Sequence, residues 1–496
     1  MRGVFDWFHF REPCLFMPVS TLRSLLSLSY ALSIFPVPEA AFAQEDAQTD
    51  RSPGLQGQSP EAPPPSARAP SIDTKAATST GDNDDRARAR REAAKFMEFD
   101  KLRTQGQTTD FPGVGQTLTK DVGGIRSWLY DSDLYFRGVS SNTLTRDVSG
   151  NGLADGAQSY TGQKLTFTQS NELRLSWKVG GTGEDITQIN VGGLFSIANW
   201  RQLGPSGARF SNLTVFSSFL DRTIEVKAGY NQNLSDFVGI FAGGNPILAS
   251  GVAGSIPLST GMSGGTALAP SFNVQFNAKG GWYSKSAIQR SILPQGMSAD
   301  AASAGAGLKF TRPGAKALFI QEVGLRRPSS SDSRQIWLRA GASYNTTLYD
   351  RLDGAGQERN WSAYALADYQ VYQPDKTMAY KGVYLGASAL FAKDTVNVYK
   401  RSLEARVYAL GLVPGRPLDQ VTVTVGLNSF SRTGAQAVEQ AGGIAHKSQF
   451  SLGALYAFHA LDGLFLSPSI NYIRNPSFVG DFKPALNLGL SATVLF

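Results

Sequence analysis

From Val114 to its last residue, Phe496, this chain repeats with a period of two. In "ALNLGLSATVLF", Ala485 to Phe496, the even positions Leu486, Leu488, Leu490, Ala492, Val494 and Phe496 are apolar, while Asn487, Gly489, Ser491 and Thr493 between them are small or polar. "NELRLSWKV" sets Leu173, Leu175, Trp177 and Val179 against Glu172, Arg174, Ser176 and Lys178; "QVTVTVGLN" sets Val421, Val423, Val425 and Leu427 against Thr422, Thr424 and Asn428. Successive side chains of a strand point to opposite faces, so each segment is a strand with one apolar and one wet face. No uncharged apolar run reaches the roughly 18 residues that a membrane-spanning helix needs, which excludes a helical membrane protein. The apolar faces must cover either the core of a soluble sheet or the lipid side of a closed barrel.

Segment number and length favour the barrel. Alternating segments recur near 160–179, 186–200, 271–284, 315–326, 333–347, 360–373, 379–392, 402–413, 447–459 and 463–475, separated by turn-like clusters such as "GGTGED", "LDGAGQ", "QPDK" and "VPGRPLD". At about 24 residues per strand and turn, residues 113–496 hold roughly 16 strands. The expected fold is all-β, an antiparallel outer-membrane β-barrel of that size with a water-filled interior. Aromatic residues at the segment ends, among them Trp128, Trp200, Trp282, Tyr283, Trp361, Tyr369, Tyr372, Tyr380 and Tyr384, fit girdles at the two membrane interfaces.

The amino terminus carries the matching address. Arg2, Arg11 and Arg23 precede the apolar "SLLSLSYALSIF", and Ala41 and Ala43 supply the small residues of a cleavage site, so residues 1–43 read as a secretory signal peptide. Residues 44–112 read as a low-complexity periplasmic tether, Pro- and Ser-rich to Gly81, with a short basic helix near 84–104. On this reading residues 44–106 contribute nothing to the channel. The only cysteine, Cys14, lies in the leader, so a disulfide framework is excluded. A formal net charge of +7 against 40 acidic residues leaves no nucleic-acid footprint.

Catalytic chemistry finds no support. Beyond the leader there are two histidines, His446 and His459, and no thiol, which rules out thiolate catalysis and a multi-histidine metal centre; no cofactor is implied. The chemistry that remains is that of a pore lining. By alternation the inward positions include Arg174, Lys178, Glu225, Lys227, Arg339, Asp368, Gln370, Glu404, Arg406, Tyr408 and Asn471, with Arg126 and Arg137 near the first strand. The long Gly-, Ser-, Ala- and Pro-rich stretch from Phe241 to Pro270 is the expected constriction loop.

Three stretches resemble the carbohydrate-selective porin family (OprB type). "DVGGIRSWLYDSDLYFRGVSSNTLTRDVSGN", Asp121 to Asn151, is similar to the segment that opens that barrel, with Val122 where the family usually has Trp. "GLVPGRPLDQVTVTVG", Gly411 to Gly426, resembles its Gly-Arg-Pro-x-Asp turn, and "LFLSPSINYIRNP", Leu464 to Pro476, its late strand, with Ser469 and Asn471 replacing Asp and Gln. The resemblance implies a sixteen-stranded channel in the bacterial outer membrane for passive diffusion of carbohydrates or similar small neutral solutes. Its partners would be those solutes, outer-membrane lipid and the barrel-assembly machinery, with the protein a monomer or a trimer. Two other readings stay open at this point: a barrel that exports or anchors an exopolysaccharide, and a soluble secreted β-protein that binds glycans.

A terminal aromatic on an alternating last strand is what outer-membrane assembly machinery reads, so Phe496 is expected to act as the assembly signal. Deleting it should lower the yield of heat-modifiable, detergent-extracted barrel, checked by gel mobility with and without boiling. An unchanged yield would exclude that role.

Overall fold

Sixteen strands among the described residues pair antiparallel with their sequence neighbours, and the pairing of the first with the last closes the sheet into a barrel. The structure, a computed structural model, describes residues 80–108, 112–153, 157–200, 206–239 and 255–496. The expected signal peptide and most of the tether lie outside these residues. The strands are β1 (Leu134–Asp147), β2 (Thr166–Gly180), β3 (Thr187–Ala198), β4 (Gly207–Phe219), β5 (Ile224–Asn231), β6 (Ala269–Asn277), β7 (Trp282–Arg290) and β8 (Ala317–Arg327). They continue as β9 (Ile336–Asp350), β10 (Gln357–Tyr372), β11 (Gly382–Ala392), β12 (Tyr399–Leu410), β13 (Gln420–Phe430), β14 (Ser448–Leu461), β15 (Leu464–Arg474) and β16 (Ala485–Leu495).

Alternation decides which face looks out. Leu173, Leu175, Trp177, Val421, Val423, Val425, Leu488 and Leu490 stand exposed on the outer wall, and Glu172, Arg174, Ser176, Thr422 and Ser491 between them are buried on the inner one. Connections at one mouth are short (181–186, 220–223, 278–281 and 462–463 among them), while those at the other include the long 148–165, 232–268, 291–316 and 431–447. Bacterial barrels turn their short connections to the periplasm, so the short-turn mouth is here termed periplasmic.

Two segments differ from the sequence reading. Residues 271–284 are not one strand: they join the end of β6 to the start of β7 through a turn at Lys279–Gly281, where Gly280 and Gly281 take φ of +77° and +86°. Strand β4 has a blurred period because its register against β3 shifts between Gly192 and Gly193, leaving Ser211 as the extra residue of a bulge. The aromatic girdle is also smaller than expected. Trp282, Trp361, Tyr369 and Tyr372 are exposed on the outside, but Tyr283 and Tyr384 occupy inward positions and Tyr380 packs beside Tyr384, Tyr408 and Leu410.

Ahead of the barrel, helix α1 (Thr80–Asp100) packs Phe96 and Phe99 against Leu102, Val114 and Tyr135. The short helix α2 (Ile125–Tyr130) brings Tyr130 to 5.2 Å from the Phe99 ring. Lys95 reaches Asp121 at 2.7 Å. Partial burial pushes the Asp121 carboxyl up, but hydrogen bonds from Lys95 and from the Ser127 hydroxyl and amide outweigh it and hold its pKa at about 2.

The closing seam ends on a fitted contact. Val139 through Asp147 pair with Leu495 back to Asn487, and the Phe496 amide donates to the Gly138 carbonyl at 2.9 Å. The Phe496 ring lies over Gly138, where any Cβ would collide with it. Gly138→Ala should therefore push the ring off the seam and lower the temperature at which folded barrel converts to the unfolded gel form. The same substitution at Gly193, which has nothing within contact range, should leave that temperature unchanged.

Candidate functional site

The inner wall carries its charges in one arc. Arg137, Lys227, Lys285 and Arg339 lie in the first half of β1, β5, β7 and β9, and Arg174, Asp368 and Arg406 in the second half of β2, β10 and β12, with Glu322 midway along β8 opposite Lys285. Because neighbouring strands run in opposite directions, early and late residues lie at the same end, nearer the periplasmic mouth. Across the lumen, β13 to β16 present Thr422, Thr424, Asn428, Gln449, Ser451, Ser467, Asn487, Ser491 and Thr493 and no inward Asp, Glu, Lys or Arg.

Within the arc, opposite charges pair around Glu172, Lys227 and Arg406. Glu172 accepts from Arg174, from Arg137 Nη2 at 3.1 Å and from Ser211 Oγ at 2.8 Å. Arg406 holds Asp368 by both carboxylate oxygens at 2.8 Å and reaches Glu404 at 3.2 Å and Ser388 Oγ at 2.8 Å. That bidentate pair fits because Gly386 leaves the space between the two side chains that a Cβ would fill. Tyr408 adds its hydroxyl to Asp368 at 3.3 Å and stacks on Tyr384 with centroids 4.8 Å apart. Glu322 accepts from the hydroxyls of Tyr283 at 2.9 Å and Tyr364 at 2.7 Å. Arg339 lies 3.5 Å over the Trp337 ring and donates to the Val238 carbonyl at 2.6 Å.

Val238 belongs to the long connection between β5 and β6, which turns into the lumen. Its first helix, α3 (Asn233–Asp236), brings Asp236 back to Lys227 at 2.9 Å. The connection is described again from α4 (Ser255–Ser259), and Phe237, Ile256, Leu258 and Met262 pack on Leu318, Ile320, Leu366 and Leu390 of the inner wall. A backbone inside the barrel needs hydrogen-bond partners. Asn360 Nδ2 donates to the Ser259 carbonyl, Asn345 Nδ2 to that of Thr260, and Gln289 Nε2 and the Ile292 amide to that of Gly261. Gly261 takes φ +101° where a side chain would strike Asn345, Ser291 and Tyr349. Of the expected constriction over 241–270, residues 255–268 lie inside the lumen and Ala269 and Pro270 open β6; its earlier part falls outside the described residues. At the outer mouth, α5 (Met297–Ser303) is tied by Asp300 to Arg290 at 2.9 Å, and α6 (Arg432–Gln440) starts at Ser431, whose hydroxyl accepts from the Gly434 amide.

The chain after α1 also enters the lumen, which composition alone did not suggest. Thr104 Oγ1 lies 2.6 Å from Ser176 Oγ, the Gln105 amide donates to Gln188 Oε1 at 3.0 Å, and the Gly106 carbonyl accepts from Lys227 at 3.2 Å. Arg137 reaches Gln107 Oε1 at 3.4 Å, and Thr108 Oγ1 donates to the Asp236 carbonyl. These residues line a cavity of about 480 Å³ with Arg137, Arg222, Glu225, Gln275, Tyr283, Lys285 and Trp337. Residues 104–106 therefore contact the inner wall, whereas the sequence reading gives 44–106 no part in the channel.

The structure brings most of the residues inferred from alternation into this wall. Arg137, Arg174, Lys227, Arg339, Asp368, Glu404, Arg406 and Tyr408 lie in the arc, and Glu225 pairs with Arg222 at 2.8 Å near the periplasmic mouth. Lys178 is half-buried late in β2, and Asn471 is half-buried on the neutral wall. Gln370 closes turns at the mouth, donating to the carbonyls of Ala379 and Lys381. Arg126 is not on a strand: it is buried on α2 and donates to the Phe136 carbonyl at 2.7 Å. Sequence reasoning missed Glu172 as a site residue although it shares the face of Arg174. It also missed Lys285, which fell just past the merged segment 271–284, and Glu322, whose inner-face neighbours Leu318 and Ile320 are apolar. Asp236 sits on a loop helix and carries no periodic signal.

Comparison with known proteins agrees with this geometry. A family model described as Carbohydrate-selective porin, OprB family, matches residues 163–496. Among solved structures, the high-pH structure of Pseudomonas putida OprB superposes with a TM-score of 0.64 at 16% identity, covering 77% of this chain and 98% of that one. The low-pH structure of the same protein gives a TM-score of 0.47 at 14% identity over 77% and 98%. A mutant porin of Rh. blastica gives 0.40 at 11% over 73% and 100%. No curated protein matches the chain. A closed sixteen-stranded barrel with an inward loop and a charged arc, matched by the family model over most of its length, makes this chain a member of the carbohydrate-selective porin, OprB family, and a channel for carbohydrate diffusion.

Proposed function

We propose that this porin lies in the bacterial outer membrane with its short-turn mouth toward the periplasm, that it conducts passively and performs no chemistry, and that solutes are selected between the charged arc and the neutral wall. The observation that carries this reading is the pairing of opposite charges along the arc, with Arg406 between Asp368 and Glu404 as its tightest instance. Carboxylates accept and guanidinium groups donate, so the arc offers both halves of the hydrogen-bond inventory to a hydroxyl. Because the charges cancel locally, the arc favours neither ion strongly over a neutral solute. The lining is proposed to comprise Arg137, Arg174, Lys178, Glu225, Lys227, Arg339, Asp368, Gln370, Glu404, Arg406, Tyr408 and Asn471, and insertion is proposed to use assembly machinery that reads Phe496.

Purified protein in planar bilayers should give stable ion-conducting channels whose current falls as neutral mono- and oligosaccharides are added. A current insensitive to every sugar tested would overturn the assignment of sugar recognition to the lining.

Removing one partner of a buried ion pair strands the other. Arg406→Ala should destabilise the barrel by about 3–5 kcal/mol, because Asp368 and Glu404 lose their shared cation. The surviving channels should shift in reversal potential toward cations. Adding Asp368→Asn should recover part of both effects, and an Arg406→Ala channel with unchanged stability and selectivity would show that the pair does not bear on the passage.

A further inference from the structure

Residues 101–108 lie outside the span of the family match, which begins at residue 163, yet they are built into the barrel. Five successive residues each meet a different wall: Thr104 meets β2, Gln105 β3, Gly106 β5, Gln107 β1 and Thr108 β7, the last through Lys285 Nζ at 3.4 Å. The path is locally prepared. Gly106 takes φ +69° against the Phe216 ring, where a Cβ would collide. The base of the segment is pinned where Asp100 Oδ1 accepts from the Val114 amide at 3.1 Å, so the chain leaves and returns at one point. Lys227 and Lys285 are the fourth residues of β5 and β7, which places Thr108 about 10 Å inside the mouth at the usual rise per residue. There Thr108 meets the Asp236 carbonyl of the constriction loop.

We propose that residues 101–108 form a second, periplasmic constriction, and that its neutral hydrogen-bonding groups help select polyhydroxylated solutes. This rests on the channel reading and adds to it a selecting element from the amino-terminal segment. Gln105 and Gln107 supply amides and Thr104 and Thr108 hydroxyls to the 480 Å³ cavity, which Gln275 and Asn277 line as well, alongside the charged Arg137, Arg222, Glu225 and Lys285. Amides and hydroxyls match sugar hydroxyls and carry no net charge, while Arg137 and Lys285 of the arc reach Gln107 and Thr108 at the same level.

The chain's one cysteine, Cys14, is some ninety residues before this segment, so introduced thiols have at most that one competitor. In the full-length protein, Gln107→Cys treated with sulfonatoethyl methanethiosulfonate should lose about half of its single-channel conductance and bind sugars more weakly, since lumen residues set what passes. Thr104→Cys with Ser176→Cys should form a disulfide on oxidation, seen by gel mobility without reductant, because the two hydroxyls lie 2.6 Å apart. A thiol at 107 that stays unlabelled, or labels with no change in conductance or sugar block, overturns the proposal, and so does failure of the 104–176 disulfide to form. A wild-type protein that conducts no ions would instead overturn the channel reading itself.

Discussion

In lipid, a sheet edge would leave a row of amides and carbonyls without partners, so the pairing of β1 with β16 is the contact on which the whole molecule depends. Closure converts an alternating sequence into an inside and an outside, since a slip of one residue at the seam would turn every side chain to the wrong face. The seam is held to one register by ladder bonds from Val139 to Asp147 and by the Phe496 ring fitted over Gly138. That ring sits on the outer face with Val494 and Leu490, so the residue that completes the ladder also completes the apolar surface.

Once closed, a barrel of this size has more room than its wall side chains can fill. The room is taken by chain rather than by large side chains. The connection between β5 and β6 turns inward and brings its own apolar residues, and the wall it covers is apolar to match, at Leu318, Ile320, Leu366 and Leu390. Where its backbone runs against the wall, amide side chains of Asn345, Asn360 and Gln289 take the place that water or a ladder would fill. The charged arc survives on the remaining inner surface, where nearly every charge has a partner because isolated charge so far from bulk water is costly.

This division explains what was legible in the sequence. A strand with lipid on one side and water on the other writes its period plainly, so β2, β3, β9 to β16 and the inward positions of Arg174, Arg339 and Arg406 could be read directly. The inner surface is not wet everywhere, however. Under the loop, β8 is apolar on both faces, and Glu322 is lost among its neighbours. In the sequence Tyr384 reads as an interface residue, because aromatic side chains suit both an interface and a stack such as Tyr384 on Tyr408. Asp236 and residues 101–108 follow no period because they belong to irregular chain whose position is set by contacts distant in sequence. Gly106 and Gly261 mark such contacts, but a glycine in a loop is legible as a close approach only when the surface it approaches is known.

The two irregular segments are not independent of each other. The Asp236 carbonyl receives both Thr108 Oγ1 and Lys285 Nζ, while its carboxylate receives Lys227, Asn231 and Asn273. One loop residue thus joins the amino-terminal segment to β5, β6 and β7. Lys227 closes the circuit by donating to the Gly106 carbonyl as well as to Asp236. Since Val238, two residues on, holds Arg339 of the arc, a displacement of Thr108 bears on the constriction loop and through it on a cation in the passage. The width of the channel is accordingly a joint property of the wall, the loop and the segment before the first strand, although only the wall announces itself in the pattern of residues.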